Sequence, residues 1–221
     1  MNSRGGAGTE ARNQSTLLVR RVAGFLVAAF PVVLGARFLV SEAVPYLTDI
    51  SQAQFGRFWA DRAWLLIHVA GGSLALVVGP FQFWSGLRRR SLRIHRWTGR
   101  LYVVGVLIGG AAAFYLASQA ASGVTFGISL GALGVAWWTT TAMAFLAIRR
   151  GQVSQHREWV IRSYVVTFTF VTFRWLAALG ILQSLGREPA ATLVWLSWSM
   201  PLLAAEAILQ GRKVVALRSA V

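Results

Sequence analysis

The sequence predicts an all-α membrane protein, a polytopic bundle of about six transmembrane helices. Hydrophobic residues make up 56% of the 221 residues, charged residues make up 13%, and the mean hydropathy is +0.56. Long apolar runs alternate with short loops that carry arginine. Each crossing of a bilayer needs roughly 20 apolar residues. A backbone in contact with lipid must satisfy its own hydrogen bonds, so we expect these runs to be helices.

The apolar runs define the expected elements in chain order. Residues 1–16 are polar and rich in small residues, and we expect a disordered cytoplasmic tail there. The run that follows is too long for the core of a cleavable signal peptide. We expect residues 17–211 to form the transmembrane domain and residues 212–221 a short basic cytoplasmic tail. The six spans are predicted at 22–43, 63–86, 98–118, 126–148, 158–183 and 191–210.

The positions of the basic residues predict the orientation of the chain. If both termini are cytoplasmic, most of the 22 Lys and Arg residues lie on the inner side. The outer loops then hold only Arg57, Arg62 and Arg187. Cytoplasmic loops of membrane proteins are enriched in Lys and Arg. We therefore expect an N-in, C-in protein of the bacterial cytoplasmic membrane, whose arginines face anionic lipid rather than nucleic acid.

A motif that contains two of the three histidines occurs twice. The copies cover residues 88–104 and 149–166, with the pattern Arg-Arg-x5-His-Arg-(Glu)-Trp-x2-Arg-x-Tyr-Val-Val, and Glu158 is the one insertion. Each copy joins a span that enters the cytoplasm to one that leaves it. Spans 2–3 and 4–5 are therefore predicted to be two hairpins of the same orientation, a parallel internal repeat. This arrangement places His95 and His156 at one depth.

The repeat supplies a candidate inner site for a haem or an anion. Neutral imidazole is a good ligand for haem iron, and arginines can pair with propionates or phosphates. Glu206, in the last turn of span 6, is the acidic residue best placed to join this site, and simple pairing with Arg162 is its structural alternative. The candidate residues of the inner site are His95, His156, Arg96, Arg100, Arg157 and Arg162. No metal site is predicted.

A second candidate site lies nearer the outer face. His68 and Arg174 are ionisable residues within spans 2 and 5, and such residues are often functional. Estimated depths place them within about one helical turn of each other. Ser163 and Thr167 continue a polar stripe inward from Arg174 on the same helix face. A neutral His68 bonded to a carbonyl or hydroxyl is the structural alternative.

Small residues and tryptophans give two further expectations about packing. Gly105 and Gly109 in span 3, and Gly127 and Gly131 in span 4, have the four-residue spacing that allows helix backbones to approach closely. The pair Trp137–Trp138 lies near the middle of span 4, away from the interfaces that tryptophan prefers. We interpret it as packing, with one wall of a cofactor cavity as the alternative.

Three separated motifs carry a resemblance to a known family. They are HxxxGxxALxxGPxQF from His68, HRxxGRxY from His95 and HRxWxxRSY from His156. Together they resemble a family of predicted bacterial membrane proteins that carries a domain-of-unknown-function designation. The resemblance implies a small multi-span inner-membrane protein and no established activity. The architecture is more weakly similar to small b-type cytochromes and ferric reductase membrane domains, which use four histidines for two haems, whereas this chain has three.

Two classes of function remain open from the sequence. The favoured class is a membrane binding, transport or accessory subunit, with a membrane protein partner or a second copy as potential partners. The alternative is a redox protein that binds haem b between spans 3 and 5, or a quinone. Oxidoreductase activity is expected only if haem is bound. The chain has no cysteine, no Ser/His/Asp set and no His-Glu-x2-His motif, so nothing predicts hydrolysis.

Overall fold

The structure is a computed structural model that describes residues 29–88, 91–180 and 188–218, without the side chains of 84–88 and 217–218. The expected tail 1–16 and the predicted start of span 1 lie outside this range. The chain divides into two units, Met1–Arg37 and Phe38–Val221. The described residues of the first unit are helical, and all further features belong to the second.

Eight helices and a short 3-10 turn at Gly56–Phe58 account for the regular structure of the described residues. The first, α1, covers Ala29–Thr48 and includes a π-helical stretch at Leu39–Ala43. The second, α2, is a single turn at Gln52–Phe55, capped by Ser51, whose Oγ accepts a hydrogen bond from the backbone N–H of Gln54 (3.2 Å). The remaining helices are α3 (Arg62–Arg88), α4 (Leu92–Ser118), α5 (Val124–Arg149), α6 (Val153–Thr167), α7 (Thr169–Ala178) and α8 (Pro189–Arg218).

This architecture confirms the predicted fold class of a polytopic helical bundle. Among the described residues, five helices are long and apolar enough to cross a membrane, namely α1, α3, α4, α5 and α8. Many large apolar side chains on their surfaces are exposed, including Leu107, Ile108, Val135 and Leu203. Exposed apolar surface of this extent suits contact with lipid rather than with water.

Consecutive long helices run in opposite directions and define two ends of the bundle. Helices α3 and α4 pack closely as a hairpin, α5 returns beside α4, and α8 packs against α5, α6 and α7. We call the end where α3 begins the Arg62 end and the end where α5 finishes the Arg149 end. The core between the helices contains Ala75, Val78, Tyr102, Val106, Leu133, Trp137, Val166 and Val194.

Glycines set the close crossing of α3 and α4. A Cβ atom on Gly71 would lie 2.7 Å from the carbonyl oxygen of Gly105 and 2.8 Å from the Cα of Gly109, so only glycine fits there. This contact confirms the predicted role of Gly105 and Gly109. In α5 the prediction holds only for Gly127, whose added Cβ would meet the carbonyl oxygen of Ala117 at 2.7 Å. Gly131 faces open space, with nothing within 4 Å of an added Cβ.

The fifth predicted span is two helices rather than one. The expected helix 158–183 is interrupted at Phe168, where ψ is −1°, and the structure has α6 before this residue and α7 after it. Three threonine hydroxyls bond back to carbonyls of the preceding turn, Thr167 to Ser163, Thr169 to Val166 and Thr172 to Phe168. Hydroxyls that bond in this way bend helices, which gives the break a local cause.

The last helix is longer than expected. We predicted that span 6 ends near residue 210 and that a basic tail follows. Instead α8 continues to Arg218, so Arg212 and Lys213 are helical. Lys213 forms an ion pair with Glu158 of α6 (2.8 Å), which holds this part of α8 against the bundle.

Candidate functional site

A cavity of about 480 Å³ lies toward the Arg62 end of the second unit. Its walls come from α1, from each of the helices α3 to α8 and from the segment around α2. Most of the lining is apolar and includes Phe38, Phe126, Leu130, Leu133, Phe170 and Phe173. Ligand sites in proteins have volumes of about 300–1,000 Å³ and apolar walls with a few polar groups, so this cavity is large enough for a small molecule.

The polarity of the cavity changes from one end to the other. Arg57 is exposed, and the side chain of Arg174 is 55% exposed, so these cations lie at the mouth. Trp137 and Val166 also line the cavity and are buried, so they form its floor. A molecule within it would therefore have a charged end and an enclosed apolar end.

His68 lines the cavity between these ends and has one ring nitrogen fixed by the backbone. Its Nδ1 lies 2.9 Å from the carbonyl oxygen of Gly109. A carbonyl only accepts, so Nδ1 carries the hydrogen, and Nε2 of the neutral ring is an acceptor. The ring packs edge-on against Phe170 at a centroid distance of 6.0 Å. Nε2 has no hydrogen-bond partner among the described residues, and it is available to a molecule in the cavity.

Arg174 is paired across the mouth of the cavity. Its Nη2 lies 3.1 Å from Oε2 of Glu42 in α1, and this carboxylate also lines the cavity. The sequence suggested that Arg174 needs a partner but did not identify Glu42. With Arg57 nearby, the mouth holds two arginines and one carboxylate, which leaves an excess of positive charge.

Ser163 and Thr167 belong to a buried hydroxyl network rather than to a ligand-binding surface. Thr167 donates to the carbonyl of Ser163 (2.9 Å), so its oxygen accepts from Trp137 Nε1 (2.7 Å) and from the hydroxyl of Tyr102 (2.7 Å). Ser163 then donates to Tyr102 (2.8 Å) and accepts from Thr141 (2.7 Å). Each hydroxyl in this chain is satisfied.

This network divides the predicted outer site into two parts. His68, Arg174 and Thr167 all line the cavity, whereas Ser163 is fully buried and does not. Thr167 reaches the cavity, but its hydroxyl is already engaged in three hydrogen bonds. The groups that a bound molecule can use are therefore His68 and the arginines at the mouth. Trp137 packs in the core, as expected, and also lines the cavity.

The two histidines of the repeat meet near the Arg149 end. Their ring centroids are 6.4 Å apart and their planes are perpendicular. His156 donates from Nδ1 to the carbonyl of Ala144 in α5 (2.8 Å). His95 interacts with the backbone of Gln82 in α3, whose side-chain amide in turn donates to the carbonyl of His95 (3.1 Å). Each histidine is thus held by the helix that precedes it. Neither lines the cavity described above.

The arginines of the predicted inner site do not converge on this histidine pair. Arg96 and Arg157 are exposed and make no hydrogen bond or ion pair with the described residues. Arg100 is exposed and lies over the ring of Trp97 on its own helix, 5.0 Å from the ring centroid. Exposed arginines at the end of a helical bundle suit contact with lipid phosphates.

Arg162 is buried and forms the ion pair that we gave as the structural alternative for Glu206. Its Nη2 and Nε lie 2.6 Å and 2.8 Å from Oε2 of Glu206 in α8. Glu158 approaches the same guanidinium at 3.5 Å and also binds Lys213. The guanidinium covers the ring of Trp159, with its carbon 4.7 Å from the centroid. This cluster joins α6 to α8, and its polar groups are already paired.

Several cavity residues were not selected from the sequence. Glu42 stands at the end of the predicted span 1, and Phe170 lies in an apolar stretch without a distinguishing neighbour. Gly72, by contrast, belongs to the motif that begins at His68; it lines the cavity, and an added Cβ there would meet nothing within 4 Å. Among the cavity residues, His68 is the one that the sequence indicated, because it is an ionisable residue within a span and glycines follow it on the same helix. No group of three or more His, Cys, Asp or Glu side chains in the described part of the chain is arranged to hold a metal ion.

Comparison with known proteins identifies the family. The family model described as predicted membrane protein (DUF2306) matches residues 65–209, which is well over half of the chain, so the chain belongs to this family. The matched region includes α4, α5, α6 and α7 in full and most of α3 and α8. No curated protein and no solved structure matches the chain.

Proposed function

We propose that this member of the DUF2306 family is a membrane-embedded binding protein that holds a small amphipathic molecule in the cavity near the Arg62 end. The observation that carries the proposal is the cavity itself, about 480 Å³ in volume and lined by His68 and Arg174. An apolar cavity with a few convergent polar groups is the usual form of a ligand site. The buried floor suits an apolar group and the arginines at the mouth suit a polar one.

The charge at the mouth supports binding rather than simple packing. An arginine beside a membrane-embedded cavity costs free energy unless it is paired or hydrated. Glu42 pairs with Arg174, but its side chain is 33% exposed and that of Arg174 is 55% exposed, so both retain surface toward a ligand or solvent. The guanidinium of Arg162, by contrast, is enclosed by Glu158, Glu206 and the ring of Trp159.

The cavity can be filled without disturbing the helices, and this provides a test. Gly72→Leu adds a side chain where an added Cβ meets nothing within 4 Å and which lines the cavity. Gly131→Leu is the matched control, because its added Cβ also meets nothing within 4 Å but this residue does not line the cavity. A ligand that binds only the folded protein raises its melting temperature.

The measurement is thermal unfolding in detergent after extensive washing, with and without an organic extract of the host membranes. We expect the extract to raise the melting temperature of the parent and of Gly131→Leu by several degrees. Gly72→Leu should fold with a similar basal melting temperature and show no response. If the extract stabilises all three proteins equally, its action does not depend on the cavity and the proposal fails.

A second candidate function is haem binding by the histidine pair, and one distance favours it. Metal–imidazole bonds are about 2 Å long, so two imidazoles on opposite sides of one metal ion have centres roughly 6 Å apart. The rings of His95 and His156 are 6.4 Å apart. An Nδ1–H that donates to a carbonyl, as in His156, leaves Nε2 oriented as a ligand.

Absorption spectroscopy separates this candidate from the first. Haem bound by both histidines would produce a reduced-minus-oxidised Soret and α band that disappears in His95→Ala and in His156→Ala. His68→Ala is the control and should retain the spectrum. A folded, colourless protein from cells supplied with haem would eliminate this candidate and leave the cavity proposal unaffected.

The proposed setting is the bacterial cytoplasmic membrane, with the Arg149 end inside. Arg96, Arg100 and Arg157 are exposed at that end, which supports contact with anionic lipid headgroups. A membrane protein partner or a second copy of the chain would approach from the lipid-facing sides of the helices.

A further inference from the structure

We infer that the molecule held in the cavity carries a hydroxylated aromatic ring, of the quinol or phenol class, whose hydroxyl donates a hydrogen bond to Nε2 of His68. This inference rests on the proposed function, because it names the ligand class of the same cavity. Three features of the walls lead to it, namely an acceptor at middle depth, flat aromatic side chains beside it and an excess of cations at the mouth.

The acceptor is defined by the hydrogen bond on the other side of the imidazole ring. Nδ1 donates to Gly109, so Nε2 of the neutral ring presents a lone pair to the cavity. A ligand that buries this lone pair without a donor leaves it unsatisfied, at a cost of about 1–3 kcal/mol. The ligand is therefore expected to bring an O–H or N–H group to this depth.

One aromatic side chain contacts His68 and others line the same cavity, which favours a planar ring. Phe170 contacts the His68 ring edge-on, and Phe173, Phe126 and Trp137 also line the cavity. Aromatic rings gain about 0.5–1.5 kcal/mol from such partners beyond the burial of their area. An aliphatic chain would fill the same space without this contribution, and it would offer no hydrogen to Nε2.

The mouth is suited to a second oxygen on the ligand. Phe170 and Arg174 are four residues apart on α7, so the backbone at Arg174 lies about one turn, or roughly 6 Å, beyond the residue whose ring contacts His68. This distance is close to the separation of two oxygens on opposite sides of a six-membered ring. Arg174 and Arg57 together exceed the single carboxylate of Glu42, so a carbonyl, ether or hydroxyl oxygen there meets a donor.

The probes are trimethylhydroquinone and its dimethyl ether, which share ring and methyl groups and differ in their ability to donate a hydrogen bond. Affinity is measured under anaerobic conditions from the shift in melting temperature of the detergent-purified, full-length protein as each probe is titrated. We expect the hydroquinone to bind the parent roughly tenfold more tightly than the ether, as for the loss of about one net hydrogen bond.

His68→Asn tests the role of Nε2 without removing the bond that holds this position. The amide nitrogen of asparagine takes approximately the place of Nδ1 and still donates to the Gly109 carbonyl, whereas nothing replaces Nε2. We expect His68→Asn to retain the basal melting temperature of the parent and to bind the two probes with equal affinity. Gly72→Leu should bind neither probe.

The outcomes separate this inference from the proposed function. If both probes bind the parent equally and Gly72→Leu removes both, the cavity is a binding site but the hydroxyl inference is wrong. If neither probe binds while the membrane extract still stabilises the parent through the cavity, the ligand class is wrong. If Gly72→Leu leaves probe binding unchanged, both the inference and the proposed function fail. If His68→Asn retains a tenfold preference for the hydroquinone, His68 is not its acceptor.

Discussion

At the scale of single residues, the ionisable side chains of the second unit differ in how completely they are paired. Arg162 is 9% exposed and is held by Glu206, Glu158 and the ring of Trp159. Arg174 has one partner and remains more than half exposed. The first arrangement stabilises the contact between α6 and α8, and the second leaves a cation accessible at the mouth of the cavity.

Arg162→Met should destabilise the protein. It removes the guanidinium from a buried cluster and leaves two carboxylates facing each other, so we expect a loss of about 2–4 kcal/mol in the free energy of unfolding. This loss in the free energy of unfolding is measured by SDS-induced unfolding in mixed micelles. Arg157→Met is the control, since Arg157 lies on the same helix, is exposed and has no ion-pair partner among the described residues. Equal stabilities of the two variants would show that the cluster contributes little.

The tyrosines of the two repeat copies should respond differently to the loss of their hydroxyls. Tyr102→Phe removes two buried hydrogen bonds and leaves the Ser163 hydroxyl without its acceptor, and we expect a loss of about 1–2 kcal/mol. Tyr164→Phe removes a single bond to the carbonyl of Leu76 (3.2 Å), and the loss should be under about 1 kcal/mol. The same unfolding assay compares them, and a larger loss for Tyr164→Phe would contradict the assignment of the network.

At the scale of elements, adjacent glycines in α3 have opposite surroundings. An added Cβ on Gly71 would overlap the backbone of α4, whereas one on Gly72 would point into open space. The first glycine therefore sets the distance between two helices, and the second leaves a volume that becomes part of the cavity. Gly71 therefore has a role in helix packing, whereas the adjacent Gly72 has a role in the cavity.

Alanine at each of these positions should have effects of opposite sign. Gly71→Ala forces α3 and α4 apart and should cost about 1–3 kcal/mol. Gly72→Ala adds a methyl group without a clash and should be neutral or stabilise the helix by up to about 1 kcal/mol. Thermal unfolding of the parent and of the two variants measures these changes in stability. Destabilisation of both to the same degree would mean that the crossing of α3 and α4 is different from the one described.

Sequence reasoning identified most elements but not their interruptions. Apolar runs of adequate length predict α3, α4 and α5 closely, because a helix in lipid must extend until polar residues allow it to end. The break at Phe168 was missed, since three threonine back-bonds within one apolar run bend a helix without changing its hydropathy. The extension of α8 to Arg218 was missed because helical pairing of Lys213 with Glu158 depends on a neighbour distant in sequence.

The candidate site was predicted in part, and the missing part has a physical reason. The repeat indicated that His95 and His156 lie at the same depth in the membrane. The small number of acidic residues indicated pairing with Arg162 as the structural alternative for Glu206. The cavity could not be predicted, because its wall combines residues from seven helices and its volume depends on how they cross. Ser163 shares a helix face with Thr167, but only the packing of Tyr102 and Thr141 against it shows that its hydroxyl is enclosed.

For the whole molecule, we predict an orientation in which both termini are cytoplasmic. The chain has no native cysteine, so single introduced cysteines can test this orientation. Gln119 and Gln152 are exposed residues in the turns that follow α4 and α5, at opposite ends of the bundle. We expect a membrane-impermeant maleimide to label Gln119→Cys in intact cells and to label Gln152→Cys only after lysis. The reverse pattern would invert the orientation and place the cavity mouth in the cytoplasm.

The proposed function requires that one cavity is occupied, and mass spectrometry of the purified protein can detect the bound molecule. The quantity to measure is the number of copurifying small molecules per chain in organic extracts of the parent, Gly72→Leu and Gly131→Leu. We predict about one molecule of a single compound per chain for the parent and for Gly131→Leu, and none of it for Gly72→Leu. Equal amounts in all three proteins, or none in the parent, would contradict the central claim that this cavity binds a ligand.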